Sequence, residues 1–190
     1  NIYLPAIESG LFEDVSATVF VDGELGTDAA AGSMSDPFRS LSVASQVAAG
    51  RDIYVRSAGV YDTSDATLDL TDGVSLYGGF DENWMLDTNR RTVISGAPIA
   101  VRATGSASRS ISAVEVTAGD ADSGNDSAGL LVQGAGELRL LDSRVVGGGG
   151  GDGLDGGPGG QSSGVVLIGV AEARIERSTV NASAGGRGAD

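Results

Sequence analysis

The chain has 190 residues and a net charge of −14, with 26 acidic residues against 12 basic ones. This charge would repel nucleic-acid phosphates, so we expect no nucleic-acid partner. Cys and His are absent, which excludes disulfides, thiol nucleophiles and imidazole metal ligands. No apolar run approaches the roughly 18 residues of a membrane-spanning helix, so no membrane span is predicted.

The first elements are an arm, a strand and a helix. Residues 1–17 predict a linker or an extended N-terminal arm, because Pro5 would interrupt any regular element. Residues 18–22 are β-branched and aromatic and predict a strand. After a loop of small residues, Asp36 and Pro37 predict a helix start. We expect this helix to run through residue 49.

The predicted helix carries its apolar residues on one side. Leu41, Ala44 and Ala48 recur at helical spacing. A short amphipathic helix ahead of a β-solenoid would cover the first rung, whose apolar side chains and backbone groups would otherwise be open. The pattern therefore predicts an N-terminal cap.

Short strands without intervening helices follow, which excludes a doubly wound sheet and leaves a sandwich as an alternative to a solenoid. They are predicted at 52–56, 67–70, 74–77, 92–94, 98–102 and 111–117. The last two indicate a degenerate earlier rung. Val101 aligns with Val132, and Val116 with Val145, if the earlier rung has two extra residues between its two valines.

A repeat in the second half favours the solenoid. Residues 127–148 and 162–183 align without a gap at an offset of 35 residues, and each copy is too short to bury its own apolar residues. Leu138 and Leu140 alternate with Glu137 and Arg139, the pattern of a strand with one buried face. We therefore expect Val132 and its counterpart Leu167 to face inward at equivalent positions of adjacent parallel strands.

The rest of the 35-residue period is glycine-rich. Residues 149–161 predict a flexible loop leaving one corner of the coil, and residues 184–190 resemble the start of another. The expected organisation is one β-helix domain over 18–190, with the strand and cap in 18–50 and the rungs in 51–190. The pattern also predicts that the solenoid continues past residue 190.

The first half of the chain resembles a known family. Residues 19–62 resemble the opening of secreted right-handed parallel β-helix proteins of the pectate-lyase-like superfamily, and residues 74–96 resemble a segment of large bacterial surface β-helix proteins. The matching positions are Val21, Asp22, Gly26, Asp28, Gly32, Pro37, Phe38, Ala44, Ile53, Tyr54, Val55, Gly59, Tyr61, Gly78, Gly79, Trp84, Arg90, Thr92 and Gly96.

The resemblance implies an all-β, right-handed parallel β-helix (solenoid) with a short N-terminal capping α-helix. It implies a secreted or cell-surface bacterial protein, and we expect a structural or adhesive role with polysaccharide or a cell-surface protein as partner. The alternative is a polysaccharide lyase or glycoside hydrolase whose catalytic rungs are incomplete in this sequence. The superfamily contains all of these activities, so the fold does not choose among them.

The enzymatic alternative has few candidate residues. Lyases of this superfamily use calcium with a Lys or Arg base, and the sequence has no Lys. Arg139 and Arg174 are the best-placed arginines, but their alternation with Glu137 and Glu172 predicts an exposed ion-pair ladder. A hydrolase needs two carboxylates roughly 5–9.5 Å apart, and 26 acidic residues nominate no particular pair.

The sharpest local signal is an acidic turn. Asp120, Asp122, Asn125 and Asp126 place four oxygen donors around one glycine, which predicts a calcium site. The alternative is a polar turn between rungs. Weaker acidic candidates follow the same logic, with a structural role favoured for each: Asp22, Asp28, Asp36, Asp152 and Asp155. Trp84 could stack on a sugar ring, but packing over the first rungs is the favoured role.

Overall fold

The structure, a computed structural model, describes residues 18–87 and 89–189. It confirms a parallel β-helix of about five turns with one short helix near its N-terminal end. Every strand pair in the three sheets is parallel. The predicted arm at 1–17 lies outside the described residues.

Each complete coil contributes one strand to each sheet in the order A, B, C. Sheet A contains β1 (Thr18–Val21), β2 (Asp52–Arg56), β5 (Leu76–Phe80), β8 (Arg109–Ser112), β11 (Glu137–Leu141) and β14 (Glu172–Glu176). Sheet B contains β3 (Val60–Thr63), β6 (Thr92–Gly96), β9 (Val114–Ala118), β12 (Arg144–Val146) and β15 (Thr179–Asn181). Sheet C contains β4 (Leu68–Leu70), β7 (Ile99–Thr104), β10 (Ser127–Gln133) and β13 (Ser162–Ile168), and the helix is α1 (Leu41–Ala48).

The core is a stack of apolar side chains along the coil axis. Leu140 is fully buried and lies in register with Ile111 of the preceding coil and Ile175 of the following one. Its neighbour Arg139 points outward and is exposed. The alternation read from the sequence therefore separates the inside from the outside of the coil as predicted.

The predicted repeat register is confirmed. Val132 pairs with Leu167 on parallel strands β10 and β13. Val132 is fully buried, whereas Leu167 is 40% exposed. The difference arises because β13 is the last strand of sheet C that the structure describes.

The predicted alignment of the earlier rung is wrong at one position. Val101 pairs with Leu130, and Val132 pairs with Ala103, while Val116 pairs with Val145 as predicted. No extra residues are needed between the two matches. A shift of two residues keeps a side chain on the same face of a strand, so the alternation of apolar residues in the sequence fits both registers equally well.

The helix begins later than predicted. Its N-cap is Ser40, whose Oγ accepts a hydrogen bond from the N–H of Val43. Phe38 instead forms a parallel bridge with Val21, which keeps the preceding segment extended. Asp28, rather than Asp36, accepts the N–H groups of Arg39 and Ser40 through Oδ1, at 3.2 and 2.8 Å.

The capping role is confirmed. Leu41, Ala44 and Ala48 are buried, and α1 packs against β1, β2 and β4. The helix ends at Ala49 and Gly50, which both adopt left-handed backbone angles. The cap therefore covers the first strands of sheets A and C.

A one-residue corner explains why residues 111–117 contain two strands instead of one. Ala113 separates β8 from β9 and has a φ of 52°. Asp142 and Arg177 occupy the same corner in the next coils, with φ angles of 50° and 47°. Alanine is not a typical left-handed residue, so nothing in this stretch of the sequence predicts the turn.

No strand was predicted at the position of β3 either.

Burial of Leu140 predicts a large effect of a charge at that site. Leu140→Asp would place an unpaired carboxylate in the apolar stack and should lower the free energy of unfolding by on the order of 4 kcal/mol. Leu141→Asp is the matched control, because Leu141 points outward beside Ser112 and Glu176. Urea unfolding should show a small effect for the control, and equal losses would contradict the inward register.

Candidate functional site

The acidic turn and the glycine-rich insert lie at one corner, between sheets B and C. The connection at this corner is short between β6 and β7, longer between β9 and β10 (119–126), and longest between β12 and β13 (147–161). The connections at this corner therefore become longer from one coil to the next. This location agrees with the predicted loop at a corner.

The glycine-rich insert is packed against its neighbouring coils. The N–H of Gly151 donates to the carbonyl of Asn125, and that of Gly150 donates to Ala184. A Cβ at Gly160 would collide with the carbonyl oxygen of Asn125. Glycine is required here because backbones of adjacent coils touch, so the insert is not the independent flexible loop that its composition predicted.

The four predicted calcium ligands do not all face one point in the structure, and two of them bind backbone groups. Asp120 Oδ1 accepts the N–H of Gly149 at 2.6 Å, and Asp126 Oδ1 accepts the N–H of Gln161 at 2.7 Å. These two carboxylates join the acidic turn to both ends of the insert. Among the described residues, no three acidic, His or Cys side chains are arranged to hold a metal ion.

A different grouping appears at the same corner. Asp120 and Asp122 line an open hollow of about 550 Å³ together with Asp152 and Arg187, whereas Asn125 and Asp126 do not line it. The sequence separates Asp152 from the acidic turn, and stacking of successive coils brings them together. Asp152 Oδ1 accepts the N–H of Arg187 at 2.7 Å. Calcium binding at this corner stays a prediction.

Calcium should raise the melting temperature if the acidic turn binds it, because a ligand that prefers the folded state stabilises that state. Asp120→Asn/Asp122→Asn keeps a side-chain oxygen at each position and removes both charges. The native chain should melt higher in millimolar calcium than in chelator, and this double variant should not. Asp65→Asn/Asp69→Asn is the charge-matched control. Unchanged melting of the native chain in calcium would contradict the prediction.

A second candidate site is an aromatic cluster that extends to the outer side of sheet A. Phe20 contacts Trp84 edge-on at 4.9 Å between ring centroids, and Phe80 stacks on Tyr54 at 5.0 Å. Tyr54 also meets Tyr77 edge-on at 5.4 Å. Phe20 and Phe80 are buried, and the other three rings are partly exposed. We call these five residues the aromatic cluster.

Trp84 is presented by a long connection between β5 and β6. Its φ of 60° is unusual for a bulky residue. Asp81 holds the turn, because its Oδ1 accepts the N–H groups of Asn83 and Met85, each at 2.9 Å. Met85 is 57% exposed beside it. The packing role predicted for Trp84 is confirmed, and part of its surface remains open.

The tyrosines of the aromatic cluster stay protonated at neutral pH. Burial, together with the negative charge of Asp52, raises the pKa of Tyr54 to about 12. The same two causes raise the pKa of Tyr77. Burial also raises the pKa of Asp52, although hydrogen bonds from Ser75 oppose the shift. Both phenols can therefore donate hydrogen bonds.

The weaker acidic candidates of the first loop have structural contacts. Burial alone would raise the pKa of Asp22, but hydrogen bonds from Arg56 and from the N–H groups of Leu25 and Glu24 hold it below its usual value. The Arg56–Asp22 ion pair spans 2.6 Å. Asp36 Oδ2 accepts the N–H of Ala31. These contacts agree with the structural roles favoured from sequence.

The two candidate arginines form the predicted exposed ladder. Arg139 Nε lies 2.9 Å from Glu137, while Arg174 Nε lies 3.2 Å from Glu137 and 2.9 Å from Glu172. The hydrogen bonds that the guanidinium groups donate to these carboxylates raise the pKa of both arginines. Neither arginine is poised to lose a proton.

Comparison of the chain with protein-family models, with curated proteins and with solved structures gave no match. The β-helix fold therefore stands on the structure itself. Within the described residues, no helix has the length and apolar character needed to cross a membrane.

Proposed function

We propose that the chain is a secreted or cell-surface β-helix protein with a structural or adhesive role, and that its aromatic cluster contacts a glycan. The observation that carries this proposal is the set of three partly exposed rings, Tyr54, Tyr77 and Trp84, on the outer side of one sheet. The resemblance to pectate-lyase-like surface proteins supports the same assignment.

The chemistry of the aromatic cluster suits a sugar ring. Aromatic faces offer apolar area to the C–H groups of a pyranose, and a neutral tyrosine adds a hydrogen-bond donor at its edge. Asp52 supplies an acceptor beside Tyr54 and Tyr77. The buried rings of Phe20 and Phe80 support the exposed ones from beneath, so the surface is preformed.

The contacts and pKa shifts of the arginines argue against an arginine base, and therefore favour a binding role over arginine-based lyase chemistry. Arg139 and Arg174 hold their protons more firmly than a free guanidinium does. Burial lowers the pKa of Arg109, but its side chain is wholly buried and donates to the carbonyls of Leu70 and Thr104. A substrate at the outer surface would not reach it.

The proposal predicts retardation of the native chain in native gels that contain a soluble polysaccharide. The probes are hydroxyethyl cellulose, xyloglucan and polygalacturonate, run in separate gels. Tyr77→Ala and Trp84→Ala should each weaken the retarding interaction roughly tenfold, as expected for central aromatic contacts.

Leu154→Ala is the control, since Leu154 is exposed on the glycine-rich insert. It should migrate like the native chain, and melting curves should show that each variant is folded. Failure of all three polysaccharides to retard the native chain would contradict glycan binding by this surface. Equal retardation of folded Tyr77→Ala and native chain would contradict the role of the aromatic cluster.

A further inference from the structure

Sheet B, like sheet C, starts one coil later than sheet A. In sheet A, β1 pairs with β2 on the N-terminal side, and α1 packs over β4 of sheet C. Strand β3 is the terminal strand of sheet B, and no other strand in the described part of the chain pairs with its free edge. The chain leaves the coil after β1, so the first coil has no strand at the sheet B position.

A groove occupies that position. Its volume is about 430 Å³, and it lies between β3 on one side and residues 39–42 on the other. Tyr61 ties β3 to the loop after β1, which also lines the groove: its hydroxyl donates to the carbonyl of Arg56 at 2.8 Å and accepts the N–H of Gly23 at 2.9 Å. The groove is therefore built into the fold and does not depend on an occupant for its shape.

The groove has an apolar and an acidic component. Val60 is 62% exposed, and Asp62, two residues along the same strand, is also exposed. Asp28 lies in the lining, where its Oδ1 is occupied by the N–H groups of Arg39 and Ser40. Arg39 also lines the groove, so the lining carries two carboxylates against one guanidinium. With a chain charge of −14, this surface complements an extended segment that carries apolar and basic side chains.

We propose that the groove binds an extended peptide with an apolar residue and a basic residue two positions apart, and that this peptide adds to β3 as a further strand of sheet B. The unpaired backbone groups of β3 would bind the peptide main chain, as in other cases of strand addition to a sheet edge. An apolar side chain of the peptide would contact Val60, and a basic one would pair with Asp62. This inference concerns a different surface from the aromatic cluster and does not rest on glycan binding.

The test uses the full chain and a fluorescent, end-blocked heptapeptide, Val-Ser-Arg-Ser-Val-Ser-Arg, whose valines and arginines share one face of an extended strand. Fluorescence anisotropy should show saturable binding, and the same peptide with glutamate in place of each arginine should not bind. Two further peptides are N-methylated either at the serines or at the valines and arginines. Successive N–H groups of a strand point to opposite edges, so one of these peptides should lose binding and the other should keep it.

Asp62→Arg should weaken binding by about tenfold or more, because it places a like charge opposite the peptide. Glu176→Arg makes the same change of charge at an exposed position of β14, at the other end of the coil. It should leave the affinity within about twofold, since exposed charges far apart are screened.

Three outcomes would overturn the proposal. Absence of saturable binding to the native chain is one. Equal weakening by Asp62→Arg and Glu176→Arg, or insensitivity to both patterns of N-methylation, would show general charge attraction without strand addition. Self-association of the native chain that Asp62→Arg abolishes would assign the groove to a second copy.

Discussion

The in-register stacking of one coil on the next is the constraint on which the rest of this molecule depends. A single coil cannot bury its own side chains: Leu140 reaches complete burial only because Ile111 and Ile175 lie above and below it. The same register aligns the backbone groups for pairing between coils. Stability is thus shared between neighbours, as in other repeat proteins.

The stacking constraint leaves the corners free to differ. Between sheets A and B, a single left-handed residue such as Ala113 is sufficient, and one coil later Asp142 takes that position and forms an ion pair with Arg177. The β5–β6 connection at the same corner is instead long enough to present Trp84. Between sheets B and C, the connections grow into the glycine-rich insert. Functional surfaces can therefore be added at corners without disturbing the stack.

The first coil shows the same principle at the end of the stack. The cap shields sheets A and C but stops short of sheet B, which leaves the groove along β3. An uncovered strand edge is a site for further strand pairing. The aromatic cluster lies where a long connection interrupts the regular coil, and the groove lies where the coil begins. Both candidate surfaces are therefore found where the regular stacking is incomplete.

Features that repeat from coil to coil could be predicted from the sequence, whereas features that occur only once could not. The alternation of Leu138 and Leu140 with charged residues, together with the 35-residue offset, was enough to predict inward faces and parallel register. Arg109 was not anticipated as a core residue, although it occupies the same register as Leu138. Its side chain donates to the carbonyl of Thr104, five residues earlier, and to that of Leu70, 39 residues earlier. No local pattern encodes the second contact.

The candidate sites were predictable to a similar extent. Trp84 and the acidic turn were identified from residue type, and the glycine-rich insert was predicted to lie at a corner of the coil. The approach of Asp152 to Asp120 and Asp122, and the aromatic contacts between β1, β2 and β5, depend on which coils become neighbours. These contacts follow from three-dimensional stacking, and short sequence spacing does not report them.

Cysteine cross-linking tests the stacking register most directly, because the native sequence has no cysteine. Glu137 and Glu172 are direct neighbours on β11 and β14, at a strand separation of about 4.8 Å that a disulfide can span. Glu137→Cys/Glu172→Cys should form an intrachain disulfide readily under mild oxidation. Glu137→Cys/Glu176→Cys should not, since the second site lies roughly 13 Å further along the strand. Cross-linking of the second pair in preference to the first would contradict the parallel, in-register coil.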